Sequence, residues 1–295
     1  MQFKELDLVF FSRHNDDPVT YTIQQLSQKR FGKNSLPISH VGIVVSKKVL
    51  SEIDTDELYL LESTLSTHNI MLSKLENVRP ILSEYRFGVQ IRPLKAILEA
   101  CVADNITVYH RQLNSDTSDK LTSTKSKMDD MYGKYRHSKY TRSPLSLTSA
   151  FFQKCSCCHA VDTISIQKSD ISPTVFSSQF VTIVLQYIGV LPISIISAAM
   201  MPVELAQPSI SDDSEFKELY SNTHSPCVKV NLPDSAGGNI PSVMRRLMTK
   251  VYAKYVKQLL KIVWRETITI IKHSKLVRKL DLNQSQLNSL VGLIV

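Results

Sequence analysis

Short apolar runs rich in β-branched and aromatic residues recur through the first 110 residues: Asp7-Leu8-Val9-Phe10-Phe11, Val41-Gly42-Ile43-Val44-Val45, Leu58-Tyr59-Leu60-Leu61-Glu62, Gly88-Val89-Gln90-Ile91 and Ile106-Thr107-Val108-Tyr109. Each is strand-length and too short for a helix that must bury one stripe over several turns, so five strands are predicted. Pro93 then opens a helix, because Leu94, Ile97, Leu98 and Cys101 follow at helical spacing. A polar helix is predicted near 116–132 and an apolar one from Ser178 to Val190. With the strands first and the long buried helix last, the order is that of an α+β fold and not of an alternating doubly wound one.

The apolar helix lies in a stretch that resembles a membrane span, since no charged residue occurs between Asp170 and Glu204. Pro192 and Pro202 cut that stretch, and Gln179, Gln186 and several serines interrupt it. A buried helix followed by a second apolar segment is the reading these breaks favour.

Composition narrows the function classes. The chain has 295 residues, 43% hydrophobic and 21% charged, which suffices for a core without disulfides. None of its 8 glycines forms a phosphate-cradling loop: Gly32 and Gly133 each precede a lysine but lack the upstream glycine and the downstream serine or threonine of a P-loop. Nucleotide hydrolysis is thereby disfavoured. Five cysteines, an odd number, and an opening Met1-Gln2-Phe3-Lys4-Glu5 without an apolar signal core point to a reducing, intracellular and cytoplasmic setting.

The net charge of +8 is unevenly spread. Residues 1–239 carry 24 basic and 25 acidic side chains, a charge of −1, whereas 240–295 carry 11 and 2, a charge of +9. Pro226, Pro233, the run Asp234-Ser235-Ala236-Gly237-Gly238-Asn239 and Pro241 mark the junction, so a linker is predicted over 206–239. Beyond it Arg246, Lys250, Lys254, Lys257, Lys261 and Arg265 recur at three- and four-residue steps opposite Leu247, Val251, Tyr255, Leu259, Ile262 and Val263. That pattern is an amphipathic helix with a basic face. The face is either solvated on a docked helix or a surface for acidic lipid headgroups or an acidic partner protein. Nucleic acid is less favoured, because Trp264 is the only large stacking side chain near the stripe.

Two groups of residues carry chemistry. His40 begins one predicted strand and Glu62 ends the next, so the two can form a base and the carboxylate that orients it. Cys155, Cys157, Cys158 and His159 form a tight cluster, but adjacent Cys157 and Cys158 are poorly placed to ligate one ion and no second ligand pair follows. A thiol-rich loop is expected there, with no metal or cofactor.

A set of ordered segments over 1–205 resembles the circularly permuted papain-like enzymes of the NlpC-type superfamily. That branch includes bacterial YiiX-like proteins, a poxvirus protein family and, more distantly, lecithin:retinol acyltransferase. Glu5-Leu6-Asp7-Leu8-Val9-Phe10-Phe11 resembles the opening strand, Ser39-His40-Val41-Gly42-Ile43 the histidine strand and Leu61-Glu62-Ser63 the acidic strand. Tyr132-Gly133-Lys134-Tyr135 resembles the glycine–tyrosine turn, Phe176-Ser177-Ser178-Gln179-Phe180-Val181 the nucleophile helix and Met201-Pro202-Val203-Glu204-Leu205 the closing proline segment.

The resemblance implies an antiparallel sheet packed on a nucleophile-bearing helix, with a basic helical tail appended at 240–295. It also implies a site of Ser177, His40 and Glu62 acting on amide or acyl-ester substrates, lipids included. The family reads roughly aromatic-Cys-Ser-Glu where this chain reads Phe176-Ser177-Ser178-Gln179, so Ser177 stands at the cysteine position and Gln179 at the glutamate position. An engineered replacement, a naturally inactive descendant and a working serine variant each account for that serine. From a different class, a non-catalytic structural or interaction protein, such as a virion component, would keep the fold as a scaffold and bind through its basic tail.

Overall fold

The computed structural model describes residues 2–12, 18–65, 78–81, 87–114, 124–140, 174–211 and 213–232. By compactness the chain divides into two units, Met1–Arg245 and Arg246–Val295, and the second lies wholly outside the described residues. The basic tail, with Arg246, Lys250, Lys254, Lys257, Lys261 and Arg265, therefore lies outside them, as does the Cys155–His159 cluster.

All five predicted strands are present, as β1 (Leu8–Ser12), β2 (His40–Val45), β3 (Tyr59–Leu65), β4 (Phe87–Pro93) and β5 (Thr107–Arg111). They pair antiparallel in the order β4-β3-β2-β1-β5. Helix α1 (Pro18–Phe31) links β1 to β2, and α2 (Leu94–Ala103) links β4 to β5, beginning after Pro93 as its spacing predicts. The polar helix, α3, runs Thr124–Tyr135. The apolar helix, α4, runs Ser177–Tyr187 and ends in a Schellman motif. Gly189, at φ 85°, donates to Gln186 O at 3.1 Å, and Val190 donates to Leu185 O at 2.8 Å. The stretch that resembles a membrane span is thus a short helix, a turn and a 3-10 segment at Ser197–Ala199, and no helix among the described residues is long and apolar enough to cross a membrane.

Strand alternation divides the core into two layers. Leu8 and Phe10 of β1, Val41, Ile43 and Val45 of β2, Leu61 of β3 and Val89 and Ile91 of β4 pack with Phe180, Val181, Val184 and Leu185 of α4. The other face collects Val9 and Phe11, Val44 and Leu60 against Leu94, Ile97, Ala100 and Cys101 of α2.

The predicted linker over 206–239 requires correction. Within it lie a 3-10 turn at Pro208–Ile210, helix α6 (Ser214–Ser221) and strand β8 (Val228–Lys229), which adds to the sheet beside β5; α5 (Pro202–Ala206) leads into them. Phe216 and Tyr220, four residues apart, are fully buried, which gives this polar-looking segment the apolar stripe that a linker lacks. Buried Arg111 fastens the segment by donating to Leu205 O at 2.7 Å, Ser225 O at 2.8 Å and His224 O at 3.2 Å, with its guanidinium over the Tyr220 ring.

Burial, followed by the nearby Arg111 charge, pushes His224 down to about 3, so it is folded in as the neutral imidazole. An unfolded histidine binds its proton near pH 6.5. His224 therefore costs no stability above that pH and lowers it progressively as pH falls from about 6.5 toward 3. In urea titrations between pH 6 and 4, His224→Gln is expected to flatten the fall in stability by up to about one proton's worth of slope; parallel curves for variant and wild type would contradict this. Phe180→Ala, which empties the centre of the α4 layer, is expected to lower stability by about 3–5 kcal/mol in the same assay.

Candidate active site

Three polar side chains form a diagonal across three adjacent strands. Continuing the pairing Ile43↔Leu61 places Glu62 on the same face as His40 and one diagonal step away. On its other side Glu62 lies directly across from Gln90, which puts Arg92 one diagonal step further. His40 Nε2 and Glu62 Oε2 are 2.5 Å apart. Arg92 Nε donates to Glu62 Oε1 at 2.6 Å and its Nη2 approaches the same oxygen at 2.5 Å. Glu62 is wholly buried, Arg92 is 4% exposed and His40 13%, so the diagonal runs from the interior toward its more accessible histidine end. Phe11, paired with His40 across β1, sets its ring 5.6 Å from the imidazole and tilted to it.

Burial alone would raise the Glu62 carboxyl. The Arg92 charge, followed by the hydrogen bond from His40, outweighs that and holds it down at about 2. An ionised carboxylate can only accept, so His40 presents Nε2–H to it, and in the neutral form of the ring the lone pair lies on Nδ1. Such an arrangement can orient a histidine for proton transfer: the anion fixes tautomer and ring direction and stabilises an imidazolium once one forms.

Ser177 is the first residue of α4 and is 2% exposed. A relay of backbone contacts carries it to this end of the sheet. Gly88 adopts φ 89°, and a Cβ there would meet Ser138 O at 2.0 Å, so only glycine lets the chain before β6 (Lys139–Tyr140) lie against β4. Val89 N–H donates to Ser138 O at 3.1 Å, and β6 pairs parallel with β7 (Thr174–Val175), which leads into α4. Ser63 Oγ, next in the chain to Glu62, donates to Val175 O at 2.8 Å. At the far side, Ser178 Oγ donates to Met200 O at 2.7 Å, tying the helix start to the segment before Pro202.

The structure thus brings His40 and Glu62 into direct contact. It delivers Ser177 on the layer of α4, while the His40 row belongs to the layer of α2. Among the described residues no hydrogen bond joins Ser177 to His40. Gln179 is half-buried on the same helix.

Arg92 is the member that sequence reasoning missed. In Gly88-Val89-Gln90-Ile91-Arg92 the apolar positions alternate with Gln90 and Arg92, a pattern that normally marks a solvent face. Both are buried. The signal available was a charge of opposite sign at a matching strand parity to Glu62. A second buried pair, His110 Nε2 with Asp7 Oδ2 at 2.8 Å, is built differently. Asp7 also accepts from the amides of Lys4 at 2.8 Å and Leu113 at 3.0 Å, so that carboxylate is consumed in fastening the β1–β5 edge.

No group of three His, Cys, Asp or Glu residues that could hold a metal occurs among the described residues. Comparisons with protein-family models, with curated proteins and with solved structures give no match.

Removing the shared carboxylate leaves the Arg92 guanidinium buried without its anion. Glu62→Gln is therefore expected to cost about 3–5 kcal/mol in urea unfolding. Adding Arg92→Met to that variant is expected to restore part of the loss. A single variant as stable as wild type would show that the three side chains do not depend on one another.

Proposed function

We propose that this chain is a permuted papain-like protein of the hydrolase or acyltransferase type, with a site of His40, Glu62 and residue 177 directed at amide or acyl-ester carbonyls, lipid esters included. The observation that carries the reading is the oriented His40–Glu62 dyad at the end of the sheet where α4 begins. In this mechanism His40 is the base for the nucleophile at position 177, a role that needs its ring brought round the end of β2 from the α2 layer to the α4 layer. The nucleophile attacks the carbonyl carbon and the oxyanion is met by the unpaired amides at the start of α4. The imidazolium, stabilised by Glu62, then returns the proton to the leaving amine or alcohol, and water or an acceptor alcohol releases the acyl group by the reverse steps.

A serine hydroxyl ionises far less readily than a thiol, and the first turn of a helix favours a thiolate. Ser177→Cys should therefore restore the nucleophile this arrangement suits. The absence of a Ser177–His40 hydrogen bond among the described residues favours the second reading, a non-catalytic interaction protein that keeps this architecture as a scaffold and binds through its basic tail.

Alkylation by iodoacetamide separates the two. In Ser177→Cys, residue 177 is expected to be labelled at least about 100-fold faster than in Ser177→Cys/His40→Ala, followed by mass spectrometry of the peptide. Equal rates in the two folded variants would remove the enzyme reading and leave the scaffold. Loss of acidic-vesicle or partner binding on deleting 240–295, with the first unit still folded, would support the scaffold's tail.

A further inference from the structure

We propose that Arg92 is a positioning residue for His40: it confines the Glu62 carboxylate to the orientation that meets Nε2 and, by its charge, keeps the imidazole neutral and able to accept a proton. This inference rests on reading His40 as the base of the site, and it names what sets that base's working state.

The argument begins from the cost of burial. A carboxylate with no solvent exposure must be compensated nearby, and among the described residues His40 and Arg92 are the groups in contact with it. Were His40 the sole partner, the cheapest compensated state would be an ion pair, with the proton on the imidazole, and an imidazolium cannot act as a base. Arg92 supplies the compensating charge instead, through two nitrogens on Oε1 at 2.6 and 2.5 Å, and leaves Oε2 to His40. With Arg92 and Glu62 cancelling, a proton added to His40 creates a net positive charge in a buried site. The equilibrium is thereby shifted toward the neutral ring.

Geometry does the second half of the work. A carboxylate pinned at one oxygen by a planar fork cannot rotate, so its second oxygen has one direction in which to accept. That direction selects the Nε2–H tautomer and turns Nδ1 away from Glu62. From β1 the group facing the ring is the Phe11 side chain. The α2 residues buried in that layer are Leu94, Ile97, Ala100 and Cys101, of which only the Cys101 thiol can ionise. Among the described residues, Glu62 contacts His40 directly and Arg92 stands behind it.

The test reads His40 itself and needs no substrate. In the full chain with isotope-labelled histidine, the His40 ring signals are assigned by their loss in His40→Gln, and their titration is followed by NMR in wild type, Arg92→Gln and Arg92→Lys. Arg92→Gln is expected to raise the His40 midpoint by about one pH unit or more, because the like charge is gone and the anion remains. Arg92→Lys keeps the charge but not the fork, so its midpoint is expected to stay near wild type while the ring nitrogen shifts report a mixture of tautomers. A midpoint unmoved in Arg92→Gln overturns the assignment. Where that variant does not fold, an undisturbed Nε2–H tautomer in Arg92→Lys overturns it instead. The alkylation of Ser177→Cys leaves Arg92 intact, so failure of the hydrolase reading shows there and failure of this one shows only in the titration.

Discussion

A carboxylate sealed from solvent sets the terms for one face of the sheet. Glu62 stays ionised only because Arg92 and His40 approach its two oxygens from the neighbouring strands on either side. That requirement couples β2, β3 and β4 in register, since a one-residue slip of any of them would send its polar member to the opposite face and leave a buried charge unmatched. The same alternation sends Val41, Ile43, Leu61, Val89 and Ile91 into the layer beneath α4. Polar diagonal and apolar layer are thus two consequences of one strand register.

While the apolar face of α4 packs on the sheet, a relay of polar contacts fastens its start to this end. Gly88 makes room for Ser138, Val89 bonds it, the β6–β7 pair follows, and Ser63 catches the carbonyl of Val175 two residues before Ser177. Each link uses a position beside the polar diagonal: Ser63 adjoins Glu62, and Gly88 and Val89 lie on the strand that carries Arg92. Fold and candidate chemistry therefore share residues. The other end of the sheet has its own fastening in Arg111, whose three backbone acceptors tie the segment from α5 to β8 onto β5.

Much of this was legible along the chain. The five strands announced themselves as short β-branched runs, α2 as an apolar stripe opened by Pro93, and α4 as one cut off by Pro192. His40 and Glu62 could be paired because each sat at the end of such a run. The segment over 206–232 was misread, since prolines and small polar residues outweighed Phe216 and Tyr220, whose burial depends on partners far away in sequence. Arg92 escaped for a related reason: an arginine alternating with valine and isoleucine looks like a surface residue until the anion opposite it is known.

The sequence by itself determined the five strands β1–β5 and the helices α2 and α4, the alternation of side chains along them, and the nearly neutral balance of 1–239 against the charge of +9 held by the tail. These follow from local periodicity and counting, which need no knowledge of neighbours. Only the tertiary structure decided that Glu62 is shared between Arg92 and His40, that Nε2 is the nitrogen of His40 that faces it, and that β8 joins the sheet beside β5. Those outcomes depend on strand order and register, and register is chosen by the free energy of burying charge and apolar surface together, a quantity that no single segment contains.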